Sequence, residues 1–447
     1  MAKVTPLKTA AEQALIAAAN ARAAADGSAA RGLRDAAARH FENTGLPHRR
    51  VEEWKYTDLK ASLREAKPLD LPTDAAAASA IAARTLLDGA VRLFVIDGVF
   101  RADLSDLAGL PAGVTVGSLK DLLGSGSEAE IAALSGPLVA HGDPIIALNA
   151  ALMTDGVVVK VAADAAVSTP IVIVQAITPG AARGVHTRSL VDVGAGASVA
   201  IVEVFEADQA GHQQTSMLNF VVADGAKVEH LVIRAADFSA VNVGTLTAVL
   251  GAHVEFASFA LQSVGDIARR QLFVRMQGDH SKLALRGATM LDGRRHADTT
   301  LVVDHASLHC ESRELFRTVV DEAAQGVFQG KIIVRHGAQK TDGQMASNAL
   351  LLSDEAEMAN KPELEIFADD VACGHGATCG EIDERLVFYL MSRGVPRKEA
   401  EALLIQSFLG EVIDEVGSVL GEDHGGALRD ILTGHLEAWL AARAARG

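Results

Sequence analysis

A short unit returns through the middle of the chain: Gly196-Ala197-Ser198-Val199, Gly225-Ala226-Lys227-Val228, Gly251-Ala252-His253-Val254, His280-Ser281-Lys282-Leu283 and His305-Ala306-Ser307-Leu308. The last residues of these units lie 29, 26, 29 and 25 positions apart (228−199, 254−228, 283−254, 308−283). Strand, small-residue turn and strand, repeated at such an interval, mark coils stacked along an axis. Without a Leu-rich signature or intervening helices, a β-helix fits better than a leucine-rich repeat or a propeller. The fold class read from the chain is therefore mainly β, with a parallel β-helix core over 91–380. An N-terminal helical region over 1–90 and a C-terminal helical region over 381–447 flank it.

The flanks read as helices for local reasons. Thr5 to Phe41 is Ala-rich and broken at Gly27-Ser28, which suits two helices. Arg50-Val51-Glu52-Glu53-Trp54-Lys55-Tyr56-Thr57-Asp58-Leu59 follows, with charges among its rings. It reads either as a packed corner anchored by Trp54 and Tyr56 or as a partner contact. β-rich runs begin with Val91 to Ile96 and continue with Val157 to Val161 and Ile171 to Val174. After Gly380 the chain turns helical again. Asp383 can cap a helix with Leu386, Val387, Leu390 and Met391 on one face, and Leu404, Phe408 and Val412 line a second. Leu428, Ile431, Leu432, His435, Leu436, Trp439 and Leu440 read as the core-packing stripe of a third.

Charge and composition narrow the function classes. The 447 residues carry 41 Lys and Arg against 57 Asp and Glu, a formal charge of −16, which disfavours a phosphate-binding surface and hence nucleic acid as a partner. Neither Trp nor Tyr occurs between Lys60 and Leu386, so the middle lacks rings for stacking bases or sugars. Three cysteines, Cys310, Cys373 and Cys379, make no disulfide framework. With no signal-peptide pattern and no apolar run of spanning length, a cytoplasmic, membrane-free protein is expected. G-x-x-x-x-G-K-[ST] is absent, so no nucleotide is expected on this chain. H-E-x-x-H, G-x-S-x-G and paired C-x-x-C are absent too. His305, His309, Cys310 and Glu311 cluster in sequence and read as structural parts of a repeat strand.

The chemistry concentrates in His336 to Val395. Lys361-Pro362 reads as a break, with Leu364, Ile366 and Ala368 alternating as a strand after it. In Val371 to Gly380, glycines at alternate positions leave one face bare while Cys373, His375, Ala377 and Cys379 share the other. At a rise of roughly 3.3 Å per residue, Cys373 and Cys379 stand about 20 Å apart and cannot share an ion, whereas Cys373 and His375 are roughly 7 Å apart. These two read either as core side chains or as half of a ligand set completed from elsewhere. As the last part of the β region, these strands would end the stack, where a second β-helix could dock and complete one site.

Gly337-Ala338-Gln339-Lys340-Thr341-Asp342, Leu350 to Ser353, Lys361 to Ile366, Ala368 to Val371, Cys373-x-His375-Gly376-Ala377-Thr378-x-Gly380 and Phe388-Tyr389-Leu390-x-Ser392-Arg393-Gly394 occur in that order. With the Trp54 block, they make the chain resemble the SufB/SufD family of iron–sulfur cluster assembly proteins, its SufD members more than its SufB members. Cys379, where an aliphatic residue is expected, and Gly343, for a bulkier one, depart from the pattern. The resemblance implies a right-handed parallel β-helix and a non-catalytic scaffold subunit that pairs with SufB through the end of the helix, or with a second copy of itself when isolated. It implies docking of the ATPase SufC on the C-terminal helices, with Tyr389, Arg393, Leu404 and Phe408 as candidate contacts. It also implies a nascent iron–sulfur cluster at the SufB/SufD junction, with His375 as a metal ligand or proton-handling group and Cys373 as its auxiliary. Three alternatives stay open: the sulfur-accepting scaffold of the same family, a β-helix polysaccharide-active enzyme, and a purely structural assembly protein whose Cys373 and His375 are core.

Overall fold

The computed structural model describes residues 8–84, 87–137, 140, 142–208, 210–234, 240–263, 265–417 and 422–446. Thr5 to Leu7, at the start of the Ala-rich segment, lie outside the described residues. From Val157 onward, strands alternate between two parallel sheets, so that each coil of the chain adds one strand to each. Among the described residues one sheet has ten strands and ends at Ala372–Gly380; the other has nine and ends at Glu357–Ile366. This is a parallel β-helix flanked by helices at both ends of the chain.

Side chains alternate across each strand, and the inward set fills the space between the sheets. Val199, Val228, Phe256, Leu283, Ser312, Gly343 and Cys373 stand in register on successive coils of the ten-stranded sheet. This column corrects two of the repeat units. Phe256, not Val254, stacks on Val228. Ser312, not Leu308, stacks on Leu283, and Leu308 lies in an exposed turn. The period held, but turns of unequal length shifted the local alignment. His305 closes one strand and Glu311 opens the next, so the cluster around His309 spans a turn rather than lying within a strand.

The two ends of the coil differ. At the first end, strands Val99–Phe100 and Val114–Ser118 run antiparallel to their neighbours, and Phe100, Leu107 and Leu110 pack against the interior. At the other end, Glu357–Ile366 and Ala372–Gly380 each pair on one side only. The first strand passes straight through Lys361-Pro362, with Pro362 in register with Gly330. The expected break there is therefore overturned. Proline is tolerated because an edge strand does not need every ladder donor.

Helices cover both outer faces. Thr9 and Glu12 form a reciprocal capping box on Ala10–Ala25, which packs with Arg31–Thr44 and Pro144–Leu152 around Leu15, Phe41 and Leu148. That third helix, with Leu119–Ser125 and Glu128–Ala133, lies inside 91–380, the range read as the β-helix core, between the β-rich runs at Val91 to Ile96 and Val157 to Val161. Trp54 is fully buried against the nine-stranded sheet, so the Trp54 block is a packed corner. On the other face, Leu428, Leu432, Leu436 and Trp439 of Glu422–Arg446 and Ile405, Leu409 and Val412 of Arg397–Ile413 bury Val202, Leu231 and Phe259. No described helix is long and apolar enough to cross a membrane.

Candidate functional site at the open end of the coil

The uncovered coil presents an interior surface that any further coil would bury. His375 stands over Met345, and Met345 over Glu314, each one strand deeper along the inward column. Met345 and Glu314 are sealed from solvent, whereas His375 is exposed because no strand follows it. Cys373 is half-buried, with its Sγ over Gly343, where a Cβ would come within 3.6 Å of it. Cys379, on the same face, is exposed. His375 is thus not a core side chain, while Cys373 packs partly against the core.

From the opposite sheet, Asn360 reaches across the opening. Its Oδ1 accepts from Ser347 Oγ at 2.7 Å and its Nδ2 donates to the Thr378 carbonyl at 3.4 Å. Asn348 Nδ2 donates to Thr378 Oγ1 at 2.7 Å. These bonds tie the two terminal strands together in the absence of a covering coil. Asn360 escaped the reading of the sequence because it adjoins the Lys361-Pro362 pair taken for a break.

Electrostatics around the opening favour neutral groups. Burial pushes the Cys373 thiol up, and the charges of Asp342 and Glu314 add to that; burial alone raises Cys379. Neither is a resting thiolate near neutrality, which sets them apart from cysteines activated by nearby cations. Burial drives the Glu314 carboxyl to about 8, against weaker opposing effects of Ser312 and Arg313. The end of the coil therefore offers one imidazole, two thiols and, two strands beneath the imidazole, a carboxylic acid. Among the described residues no three His, Cys, Asp or Glu side chains are grouped around a point that could hold an ion. His375 and Cys373 stand two positions apart on the inward face of the last strand.

The edge itself has two characters. Glu357–Ile366 carries Lys361, Pro362, Glu363 and Glu365, the residues that normally discourage edge pairing. Ala372–Gly380 has no charged residue and no proline, which leaves its free edge flat and unguarded. Ile366 and Phe367 beside it are 40% and 56% exposed, an apolar rim to the opening.

The four C-terminal candidates separate into two groups. Tyr389 and Arg393 lie exposed, with the guanidinium 5.2 Å from the ring centroid. Leu404 is half-buried, and the Phe408 ring packs into the helix–sheet core with Arg317 4.6 Å from its centroid. Of the face expected to be buried on Glu384–Ser392, only Val387 is sealed. Leu386, Phe388, Tyr389 and Met391 instead form an exposed apolar surface, with Phe388 72% exposed.

Comparison with known proteins agrees with this architecture. Residues 176–408 match the model of the SUF system FeS cluster assembly, SufBD core domain, and residues 17–173 match the SufBD protein N-terminal region. An iron–sulfur cluster assembly SufBD family protein of Synechocystis is 32% identical over 387 residues, covering 83% of this chain and 84% of the relative. The iron–sulfur cluster assembly protein SufD of Escherichia coli is 29% identical over 377 residues, covering 83% and 85%. SufD of Bacillus subtilis is 36% identical over 124 residues, 28% of each chain.

Proposed function

The chain belongs to the SufBD family of iron–sulfur cluster assembly proteins, and from that membership we propose that it acts as a SufD-type subunit, non-catalytic itself, in a cytoplasmic complex with a SufB-type scaffold and a SufC-type ATPase. The observation that carries the proposal is the uncovered last coil, which exposes His375 beside an unguarded strand edge. A SufB-type β-helix docking there would extend the sheet through Ala372–Gly380 and bury the apolar rim at Ile366 and Phe367. Each subunit would then supply part of one site.

In that junction the nascent cluster is cargo, assembled from iron and sulfur. Imidazole and thiol donors suit iron–sulfur chemistry. His375 acts as ligand or proton-handling group and Cys373 as its auxiliary; with its thiol pushed up, Cys373 becomes a thiolate only when metal displaces its proton. The exposed surface around Phe388 and Tyr389 is the docking place for the ATPase, whose motion would open and close the junction.

His375→Ala tests the site. The expected result is an intact complex with less iron and less cluster than the unsubstituted complex. Unchanged iron and cluster yield would remove His375 from the mechanism. The sulfur-accepting role within the same family is separated by persulfide labelling with a cysteine desulfurase, in which the SufB-type partner and not this chain should carry the label.

A further inference from the structure

One corner of the coil carries a column of left-handed backbone conformations: Gly196, Gly225, His253, His280, His309 and Lys340, with φ between 55° and 71°. Main-chain bonds run along the column. Each residue donates its N–H to the carbonyl just before the next member, Gly196 to Asp224, Gly225 to Ala252, His253 to Asp279, His280 to Leu308 and His309 to Gln339, and Lys340 continues the pattern to Asp370. The side chains of Asp224, Asp279 and Gln339 add bonds from the N–H groups of Ala252, Leu308 and Asp370. None of these bonds uses the side chain of a column residue, and glycine adopts the turn at least cost. Three successive coils nevertheless place histidine there, accepting a conformation uncommon outside glycine.

The result is a ladder of exposed imidazoles. The rings of His253 and His280 lie 5.1 Å apart and 4° from parallel, and those of His280 and His309 lie 4.8 Å apart and 6° from parallel. Among the described residues, no hydrogen bond engages the ring nitrogens of the three. The ladder ends at Lys340, whose ammonium pairs with Asp370. We propose that His253, His280 and His309 form a surface site for a divalent first-row cation, held by two neighbouring imidazoles at once, with His280 common to both pairs.

The chemistry follows from the spacing. Imidazole nitrogens bind zinc at about 2.0–2.1 Å, so two donors around one ion must approach within about 3 Å of each other. Stacked rings aim their nitrogens along parallel planes, which agrees with the absence of a ready-made three-ligand group. A turn of two exposed rings about their side-chain bonds converges them, and exposed side chains change rotamer freely. The backbone spacing between coils, fixed by the ladder of main-chain bonds, keeps the pair preorganised. The formal charge of −16 favours cation approach. This site lies on the outer corner of coils in the middle of the stack, separate from the opening at His375.

The test uses the full chain without a polyhistidine tag, stripped of metal, with zinc chloride titrated in a calorimeter. Wild-type protein should bind zinc with a saturable step. His280→Asn, which tolerates the left-handed conformation, should weaken that step by about tenfold or more, since only single-imidazole binding remains. His253→Asn or His309→Asn alone should cost less, because one pair survives. His280→Gly, which reinstates the residue of the earlier coils, guards against a folding artefact and should match His280→Asn. His336→Asn, at an exposed imidazole outside the column, should leave the step unchanged. Identical isotherms for wild type and the two His280 variants, no saturable binding by wild type, or loss only in His336→Asn would each overturn the proposal.

Discussion

The guanidinium of Arg269 lies over the indole of Trp54, its central carbon 3.8 Å from the ring centroid, with both side chains sealed from water. Arg269 also pairs with Asp298 and donates to the Glu53 carbonyl at 2.6 Å, while Trp54 Nε1 donates to Asp143 Oδ2 at 3.0 Å. Asp143 in turn caps the Pro144–Leu152 helix and accepts from Gln271 at 2.8 Å. A buried cation is tolerable only when it is paired, and here one carboxylate, one carbonyl and one ring face meet it. The N-terminal block is thereby fixed to the nine-stranded sheet.

Replacing Trp54 by Ala should therefore cost roughly 3–5 kcal/mol, the range for deleting a large buried aromatic, and lower the thermal midpoint. Trp54→Phe keeps most of the volume but strands one acceptor position of Asp143, and should cost about 1–3 kcal/mol. Thermal melts of both variants check the order. Equal stability of wild type and Trp54→Ala would show that the corner is not what holds the block.

Glu314 makes stability depend on pH in a defined direction. Its carboxyl titrates near 8 in the folded chain against an ordinary value of 4.5. Between those values the folded state holds a proton that the unfolded state has released, so the unfolded state binds fewer protons and stability falls as pH rises. Above about pH 8 the loss is complete, at most about 5 kcal/mol by linkage. Glu314→Gln removes the titration. It should melt higher than wild type at pH 8.5, with the gap closing as pH falls toward 4.5. A pH-independent gap would mean that Glu314 does not hold its proton in the core.

Much of this was legible in residue order. The interval of the repeat gave the coil, because a β-helix writes one period per turn whatever its side chains are. The spacing of Leu428, Leu432, Leu436 and Trp439 gave a buried helix face. Local register was less legible, since turns of different length displaced Val254 and Leu308 from the column they were assigned to. Pro362 misled because its meaning depends on whether another strand lies beyond it, a property of the stack and not of the segment. The exposed side of Glu384–Ser392 was hidden for a related reason. Leu386 and Met391 look like core by type, and only the position of the helix against the sheet shows that Val387 alone is covered. Glu314 gave no signal, because a single acid in an alternating strand looks solvent-facing until the register turns it inward.

Phe388 is a direct test of the C-terminal surface. At 72% exposure its ring is not stabilising the isolated chain. Phe388→Glu should leave the melting transition almost unchanged, within about 0.5 kcal/mol. Co-purification of a SufC-type ATPase should fall sharply, since a desolvated carboxylate would replace an apolar anchor. Retained co-purification would move the docking place elsewhere on the molecule.

The three thiols report on the open end of the coil without any substitution. Cys310 is buried, with Sγ 3.3 Å from the Gly278 carbonyl; Cys373 is half-buried; Cys379 is exposed. Burial raises all three above the ordinary thiol value of 9.0, so alkylation by iodoacetamide should be slow at neutral pH and accelerate through and beyond pH 9. The order of labelling in the isolated chain should be Cys379, then Cys373, with Cys310 reacting only on unfolding. If a SufB-type partner completes the last coil, both Cys373 and Cys379 should become protected on complex formation, because the completed coil would enclose the inward face they share. Peptide mapping by mass spectrometry reads each site separately. Protection of neither thiol would argue against a partner that continues the stack, since a coil completed past Ala372–Gly380 would enclose the inward face of that strand.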